Sequence, residues 1–213
     1  QIDKDQKRTV LERITWTTSA IDVLRNVLQC HAIYDMETMY MQGMNEICAV
    51  CMELANSETE TFTYFELVMN VLKPYYRVHA NTPELLGRLG VIIRVIDKEV
   101  AEAFDANGVE YTFTYRPLLL LFKREFTAED IVHVWDFVMA KPEDQMQLFV
   151  MAAIILLHRE YIIIEQPDFD TMLQFVQTLS GTVETGILID ADMLHSQFMK
   201  NASEEERRIV FSD

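Results

Sequence analysis

Two residues near the start of the chain, Arg8 and Gln42, have side chains suited to the chemistry of phosphate groups. A guanidinium is always charged and planar, so it can bridge two phosphate oxygens and neutralise charge that develops on them. A glutamine amide offers both a donor and an acceptor, so it can hold a water molecule and reach a neighbouring group at once. Arg8 lies in a short segment with Ile2, Asp5 and Thr9. Gln42 lies in a second one with Tyr40, Gly43 and Met44.

The neighbours of these two residues fit the same chemistry but also have simpler interpretations. Asp5 precedes Arg8 by three residues, so on a helical turn its carboxylate can hold the guanidinium in one rotamer. Gly43 removes a side chain beside Gln42, where a backbone can then approach another molecule closely. Taken singly, an aspartate and an arginine at this spacing most often form a surface ion pair that contributes little. A Gln-Gly pair most often marks a loop or the start of a helix.

Together and in this order, the two segments resemble the catalytic motifs I-x-x-D-x-x-R-T and Y-x-Q-G-M of the TBC domain, the GTPase-activating domain that acts on Rab-type small GTPases. The resemblance implies that Arg8 is an arginine finger and Gln42 a glutamine finger, both supplied in trans to accelerate GTP hydrolysis. It implies that Asp5 positions Arg8, and that Thr9 and Tyr40 support the two loops. The partner would be a Rab in its GTP-bound state. Because that partner carries the GTP and Mg²⁺, this chain would need no cofactor and no metal of its own.

The resemblance continues beyond the two motifs to near the end of the chain. An F-x-R-E-F-like block occupies residues 122–126, and a W-D pair follows at Trp135 and Asp136. The resemblance implies that Trp135 anchors the core. It also implies that Arg116, Glu125 and Asp136 belong to a buried polar network, in which every member needs a partner because an unpaired buried charge is strongly destabilising.

Three departures from the family pattern accompany this resemblance. The family's most N-terminal motif, R-x-x-x-W, would precede Gln1, so we expect a single domain over residues 1–213 that lacks this motif. Glu46 stands where the family more often has aspartate, which keeps the charge but lengthens the reach. Pro117 stands where an aromatic residue is common. None of the three removes either finger.

Composition and charge favour an all-α, multi-helix fold and exclude several classes of partner. Of the 213 residues 50% are hydrophobic, whereas only 6 are Gly and 5 are Pro, a mix that favours helices over a β-sandwich. The net charge of −16 repels phosphates, so we expect no nucleic-acid partner, although Lys4, Lys7 and Arg8 make the first segment locally basic. The longest apolar run, residues 149–157, is short for a transmembrane segment. We expect a cytoplasmic protein, with any recruitment to endomembranes residing in regions outside this chain.

Cysteine and histidine patterns indicate no metal or redox site. The spacing Cys48-x-x-Cys51 on a predicted helix is typical of small core residues on adjacent turns. No second CxxC and no nearby histidine pair completes a zinc site, and the five histidines have no ligand spacing.

Apolar periodicity and capping residues predict a succession of helices with defined ends. We expect Gln42 to open one helix, Pro74 to stop the next, Thr82-Pro83 to start another, and Asp190 to cap a later one. Residues 145–159 are strongly apolar and predict a central helix. The β-branched run 161–164 reads as a strand or as a buried helix end, and its position between strong helices favours the helix. Ser203-x-x-Glu206 predicts a capping box.

A second function is compatible with the same resemblance. A TBC-like helical domain that has lost its activity can still serve as a binding module or effector scaffold for small GTPases. The presence of both Arg8 and Gln42 favours the active form. Strictly, the active form is an activator, because the GTPase holds the nucleotide, so whether to class the chain as an enzyme is left open. An unrelated helical scaffold would require the matching motifs to arise by chance. The sequence does not identify which Rab is recognised, since specificity rests on differences in surface shape and charge.

Overall fold

The computed structural model describes residues 1–9, 18–76 and 82–211, and the side chains of Arg8 and Thr18 lie outside this described part. Within these ranges the chain forms thirteen α-helices and three short 3-10 helices and no strand, which confirms the all-α fold class. The residues fall into two compact units. The N-terminal unit is Gln1–Ala80 with Leu119–Lys123, and the C-terminal unit is Asn81–Leu118 with Arg124–Asp213. A single domain over residues 1–213 stays a prediction.

The N-terminal unit is built on three helices that pack against one another and carry the two short polar segments. Leu24, Leu28, Ile47, Phe65 and Leu72 are completely buried in its core. Its helical elements are α1 (Ile2–Asp5), the 3-10 helix Gln6–Arg8, α2 (Thr18–Tyr34), α3 (Met44–Leu54) and α4 (Glu58–Tyr76). Contacts link α2, α3 and α4 pairwise, and α1 rests on α2. The segments that carry Arg8 and Gln42 are therefore attached to this hydrophobic core.

The C-terminal unit is organised around one apolar helix. Its elements are α5 (Thr82–Ile96), α6 (Lys98–Ala106), the 3-10 helix Tyr111–Thr114, α7 (Tyr115–Leu119, whose last residue belongs to the N-terminal unit), α8 (Ile131–Met139), the 3-10 helix Pro142–Asp144, α9 (Met146–Leu157), α10 (Arg159–Glu165), α11 (Phe169–Thr178), α12 (Ile187–Asn201) and α13 (Glu204–Phe211). Helix α9 contacts α5, α8 and α12. Its first ten residues are all buried, as the prediction of a central helix requires.

Several predicted helix ends are confirmed. Helix α5 begins at Thr82 with Pro83 in its first turn. Ahead of α13, the Ser203 N–H donates to Glu206 Oε2 at 2.7 Å and the Glu206 N–H donates to Ser203 Oγ at 3.3 Å, which is a capping box. The run 161–164 is helical and lies in α10, but Ile162 is its buried residue while Tyr161 and Ile164 are exposed.

The helix ends predicted at Pro74 and Asp190 are wrong. Pro74 lies inside α4, which continues to Tyr76. A proline near the end of a helix forfeits one hydrogen bond but keeps a helical φ, and here the burial of Tyr75 and Tyr76 favours continuation. Asp190 does not cap α12, because that helix begins at Ile187 and places Asp190 in its first turn, where a carboxylate still complements the helix dipole.

Among the described residues, no single helix has both the length and the apolar composition to cross a bilayer. Helices α9 and α10 reach those limits only as a pair, which is bent by 59°.

Candidate functional site

Gln42 lies in an exposed turn directly ahead of α3 and not, as predicted, in the helix itself. The first helical residue is Met44, and Gly43 is the N-cap. Because a glycine supplies no capping side chain, the helix begins where the backbone leaves the turn. The turn is nevertheless attached to a rigid element, since eight of the eleven residues of α3 are buried. The Gln42 side chain is thus presented to solvent from a fixed base.

Gly43 is required by both its backbone angle and its surroundings. Its φ is +107°, a region that L-residues other than glycine adopt only with strain. A Cβ added there would lie 2.9 Å from the Tyr76 hydroxyl oxygen and 3.1 Å from Leu120 Cδ2. Tyr76 is not free to swing away, because it is buried and donates to the Leu119 carbonyl oxygen at 3.1 Å. The predicted supporting role of Gly43 thus has a physical basis in the turn that carries Gln42.

Arg8 is the last residue of the 3-10 helix Gln6–Arg8, and its side chain lies outside the described part of the structure. The backbone around it is well tied. Thr9 is buried and donates through its hydroxyl to the Asp5 carbonyl oxygen at 3.0 Å. Gln6 Nε2 donates to the Ile21 carbonyl oxygen of α2 at 2.8 Å. The base of the predicted arginine finger is therefore held on both sides.

Asp5 and Tyr40 connect the two predicted motifs directly. The Tyr40 hydroxyl donates to Asp5 Oδ2 at 2.8 Å. Asp5 is buried, and its two carboxylate oxygens also accept from Gln1 Nε2 at 3.0 and 2.9 Å. Burial of Tyr40 raises the pKa of its phenol, and the hydrogen bond to Asp5 raises it further by a smaller amount. The Tyr40 hydroxyl therefore remains a donor at neutral pH. The pairing of Asp5 with Arg8 stays a prediction, because the Arg8 side chain is not described.

Asn45 forms a second connection between the motifs, and the sequence analysis did not single it out. Its Nδ2 donates to Thr9 Oγ1 at 2.9 Å, and its Oδ1 accepts from the Gly43 N–H at 3.3 Å. Asn45 is buried, with 6% of its surface exposed. One signal was available: an amide two residues after a glycine, at the start of an otherwise apolar helix, needs partners that the helix cannot supply. We call residues 5–9 the arginine segment and residues 40–45 the glutamine segment.

The loop that leads into the glutamine segment is anchored from α2 by a buried histidine. His31 is completely buried. Its Nδ1 lies 2.7 Å from Glu66 Oε1 of α4, and its Nε2 lies 3.1 Å from Thr38 Oγ1 of the loop. The ring also packs edge-on against Phe65. One imidazole thus joins two helices and the loop.

A charged cluster at the surface holds the same loop. Asp35 Oδ1 accepts from the backbone N–H groups of Glu37 and Thr38 at 2.9 and 3.3 Å, and its Oδ2 lies 2.9 Å from Lys73 Nζ of α4. Burial would raise the pKa of Asp35, but the hydrogen bonds from Lys73 and the two backbone groups outweigh it and lower that pKa. The carboxylate is therefore the stable form of Asp35 in this loop.

The polar network expected in the C-terminal unit is smaller than predicted. Trp135 is buried, with 2% of its surface exposed, as expected of a core anchor. Asp136 is exposed, which corrects its placement in the network, because on α8 it points away from the face that buries Trp135. Glu125 is buried and Arg116 Nη2 lies 3.9 Å from its Oε1. Burial raises the pKa of Glu125, and the charge of Arg116 only partly offsets this effect.

The cysteine pair of α3 has the surroundings of a core and not of a metal site. Cys48 and Cys51 are both completely buried among apolar residues, and burial raises the pKa of both thiols. Among residues 1–9, 18–76 and 82–211, no group of three His, Cys, Asp or Glu side chains is arranged to hold a metal ion.

The sequence of this chain is similar to those of a known family and of several known proteins. The family described as the Rab-GTPase-TBC domain matches residues 1–163. The chain is 28% identical over 188 residues to the GTPase-activating protein GYP7 of Saccharomyces cerevisiae, covering 86% of this chain and 25% of that protein. It is 26% identical over 181 residues to small G protein signaling modulator 2 of Mus musculus, covering 82% of this chain and 18% of that protein. The chain thus spans a quarter or less of the length of these two curated relatives.

A solved structure shares the fold. The crystal structure of the Ypt/Rab-GAP domain of Gyp1p matches with a TM-score of 0.73 at 20% sequence identity, covering 95% of this chain and 72% of that chain. At this identity the likeness concerns the fold, and it agrees with the multi-helix TBC-like architecture expected from the sequence.

Proposed function

The chain belongs to the Rab-GTPase-TBC domain family, and we propose that it is a GTPase-activating domain for a GTP-bound Rab-family small GTPase. In this proposal the GTPase holds the nucleotide and Mg²⁺, while this chain supplies two side chains in trans. Arg8 neutralises the charge that develops on the phosphates, and Gln42 orients the attacking water. The names of the GYP7 and Gyp1p relatives support the choice of a small GTPase as partner.

The chemical requirement explains why two side chains suffice. Phosphoryl transfer to water needs little covalent chemistry from a protein, because positioning and electrostatic stabilisation lower most of the barrier. A guanidinium presents planar donors to two phosphate oxygens without losing its charge. A glutamine amide accepts from the water and donates to a neighbouring acceptor, which fixes the line of attack. No group on this chain needs to titrate for the reaction to proceed.

The observation that carries the proposal is the pair of hydrogen-bonded connections between the arginine segment and the glutamine segment. Tyr40 donates to Asp5 at 2.8 Å, and Asn45 donates to Thr9 at 2.9 Å. Motifs that lie apart in the sequence are thereby adjacent in the N-terminal unit. Such proximity is what joint action on one phosphate group demands, because a catalytic group acts only when it is held in a productive position.

Local charge supports a phosphate-bearing partner in spite of the net charge of −16. Lys4 lies in α1 and Lys7 in the 3-10 helix that ends at Arg8, and both lysines are exposed. The acidic Asp5 between them is buried and hydrogen-bonded, so it is directed inward. The exposed charges close to Arg8 therefore include two lysines and Asp3, whose carboxylate pairs with Arg25 at 3.1 Å, and the lysines complement a nucleotide-bearing surface.

The test is single-turnover GTP hydrolysis by a panel of purified Rab GTPases, with the wild-type chain, Arg8→Ala and Gln42→Ala compared side by side. We expect wild-type protein to accelerate one or a few Rabs and each variant to lose roughly 10³-fold or more of that acceleration. Arg208→Ala and Gln177→Ala, which remove the same side chains from exposed positions of the C-terminal unit, serve as matched controls.

Two outcomes would overturn the proposal. Acceleration that survives in both Arg8→Ala and Gln42→Ala would remove the two-finger mechanism. Binding of GTP-loaded Rabs without any acceleration, by a wild-type chain shown to be helical and cooperatively folded, would favour the non-catalytic binding module instead.

A further inference from the structure

We propose that Asn45 is a positioning residue that fixes the arginine segment and the glutamine segment in one register, so that the placement of each finger depends on the other segment. This inference rests on the proposed function for its catalytic consequence. Its structural content is the connection from Thr9 through the Asn45 amide to Gly43.

The hydrogen-bond directions select an amide at this position. The Thr9 hydroxyl gives its proton to the Asp5 carbonyl oxygen, so its oxygen is left as an acceptor and needs a donor. The Gly43 N–H is a donor and needs an acceptor. A primary amide offers both groups on one short side chain. The Asn45 Nδ2 faces Thr9 and the Oδ1 faces Gly43, which satisfies both needs and fixes the orientation of the amide.

The two bonded groups are the immediate neighbours of the two fingers. Thr9 follows Arg8, and Gly43 follows Gln42. A peptide unit is planar, and each residue contributes only two soft backbone angles, so fixing one residue strongly restricts the next. The Asn45 amide therefore acts one residue away from each finger. The connection through Tyr40 and Asp5 lies further from both fingers along the chain, two and three residues away.

Burial makes this connection hard to replace. Thr9 and Asn45 are 7% and 6% exposed, so water has little access to take over a lost hydrogen bond. In such surroundings an unpaired amide or hydroxyl is unfavourable, and the segments would move to find other partners. The Tyr40 hydroxyl also lies 3.4 Å from Asn45 Oδ1, but its proton is directed to Asp5 at 2.8 Å. Loss of the Asn45 amide thus leaves the Gly43 N–H without its acceptor and the Thr9 hydroxyl oxygen without its donor.

The expected signature is a loss of rate without a matching loss of affinity. A residue that only positions the fingers changes the reaction of the bound complex, while the surface that binds the Rab stays in place. A small displacement of a catalytic group can lower the rate on the order of 10²-fold. Because the connection serves both fingers, the effect of breaking it shrinks when either finger is already absent.

The experiment uses Asn45→Ala, Thr9→Val and Thr9→Ser in the single-turnover assay, with the Rab that the wild-type chain accelerates. Thr9→Val removes the hydroxyl at nearly constant volume, and Thr9→Ser retains it as the matched control. We expect Asn45→Ala and Thr9→Val to lower the maximal rate on the order of 10²-fold, with little change in the half-saturating concentration. We expect Thr9→Ser to retain most of the wild-type rate. Combined with Arg8→Ala or with Gln42→Ala, each change has a smaller effect than in the wild-type background.

A hydrogen-exchange measurement keeps the inference testable without any GTPase. Thr9→Val alters the arginine segment alone, yet we expect it to accelerate amide exchange at residues 42–45, because Asn45 loses the partner that orients it. Unchanged exchange there, or a maximal rate within about twofold of wild type in a folded variant, overturns the inference. A change confined to the half-saturating concentration also overturns it, since it would assign these residues to partner binding. If the wild-type chain accelerates no Rab, the proposed function fails while the exchange result still decides the structural coupling.

Discussion

The two units of the molecule each contain a polar cluster around a buried carboxylate, and the clusters differ in how completely their atoms are paired. In the N-terminal unit, the carboxylate of Asp5 accepts from two side chains, and the Asn45 amide uses both its donor and its acceptor. In the C-terminal unit, Arg116 and Glu125 are 3.9 Å apart, and Arg116 Nε and Glu125 Oε2 have no hydrogen-bond partner among the described residues. Paired networks fix geometry, whereas a long ion pair mainly prevents an isolated buried charge.

This difference fits the proposed function. That proposal requires two side chains held in place relative to a bound partner, and the short, directional bonds of the N-terminal cluster suit the requirement. In the C-terminal unit, Arg116 lies in α7 and Glu125 in the segment that follows it. That segment is held by backbone hydrogen bonds from the Gly181 N–H to the Arg124 carbonyl and from the Val183 N–H to the Glu125 carbonyl. Those backbone bonds carry the geometry there, so the ion pair can be loose.

The largest effect on this comparison is expected from Gly43→Ala. The substitution forces φ = +107° on an alanine and places its Cβ 2.9 Å from the Tyr76 hydroxyl oxygen, which we expect to destabilise the N-terminal unit by about 1–3 kcal/mol. It should also displace Gln42 and abolish most stimulated hydrolysis. Urea unfolding measures the stability. Gly87→Ala, on the exposed side of α5 with no atom within 4 Å of the added Cβ, is the control and should stabilise slightly. Equal stability of the two variants would contradict the requirement for glycine at position 43.

Tyr40→Phe is expected to have the next largest effect. It removes the 2.8 Å hydrogen bond to the buried carboxylate of Asp5, and bonds to charged groups typically contribute about 1.5–3 kcal/mol. Because Gln1 still donates to Asp5, we expect the lower end of that range. Thermal unfolding compares Tyr40→Phe with Tyr161→Phe, an exposed tyrosine of the C-terminal unit. If Tyr40→Phe lowers the thermal stability no more than Tyr161→Phe does, the N-terminal cluster is not the more tightly paired of the two.

Glu125→Gln tests the loosely paired cluster through its pH dependence. Burial raises the pKa of Glu125 in the folded protein above its ordinary 4.5. The folded state then keeps a proton that the unfolded chain has released, so wild-type stability falls as pH rises from about 4.5 through the folded-state pKa. Glutamine cannot titrate, so the variant should gain stability relative to wild type over this interval. Urea unfolding at pH 4.5 and pH 7 measures the difference, and exposed Glu129→Gln is the control. A stability difference between Glu125→Gln and wild type that does not change with pH would contradict the raised pKa of Glu125.

Lys73→Met should have the smallest effect. Lys73 Nζ lies 2.9 Å from Asp35 and 3.3 Å from Glu37, but its side chain is 31% exposed, and such surface pairs contribute about 0–1 kcal/mol. We therefore expect a small loss of stability that added salt reduces further, as measured by unfolding at low and high ionic strength. A loss larger than that of Tyr40→Phe would place the main anchor of the glutamine segment in its loop and not in the Asp5 network.

The fold and the candidate site were predictable to different extents. The all-α class follows from apolar periodicity and the central helix α9 from its strongly apolar run, and both signals act locally and survive in any arrangement of helices. The capping box at Ser203 is likewise a local interaction. The stop predicted at Pro74 failed, because the burial of Tyr75 and Tyr76 outweighs a single missing hydrogen bond. Local rules do not include that burial.

The site divides in the same way. Arg8 and Gln42 were predicted as fingers, and Asp5, Thr9 and Tyr40 as supporting residues, from the resemblance of their segments to the family motifs. Asn45 was not, because its importance depends on two partners that are distant in sequence or unremarkable in type. Asp136 was assigned to a buried network by the family resemblance, yet on α8 it points away from the face that buries its neighbour Trp135, because adjacent residues on a helix point in different directions.

What the sequence determined by itself is the family, the helical class and the identity of the two candidate fingers, since these are properties of residue type, order and periodicity. What only the tertiary structure decided is which polar groups meet. The turn at Gly43, the inward direction of Asp5 and the amide connection from Thr9 through Asn45 arise from α1, α2, α3 and α4 packing into one unit. Hydrogen bonds are short and directional, so a pattern of residues can state which donors and acceptors exist, whereas their pairing is fixed by where the packed helices bring them.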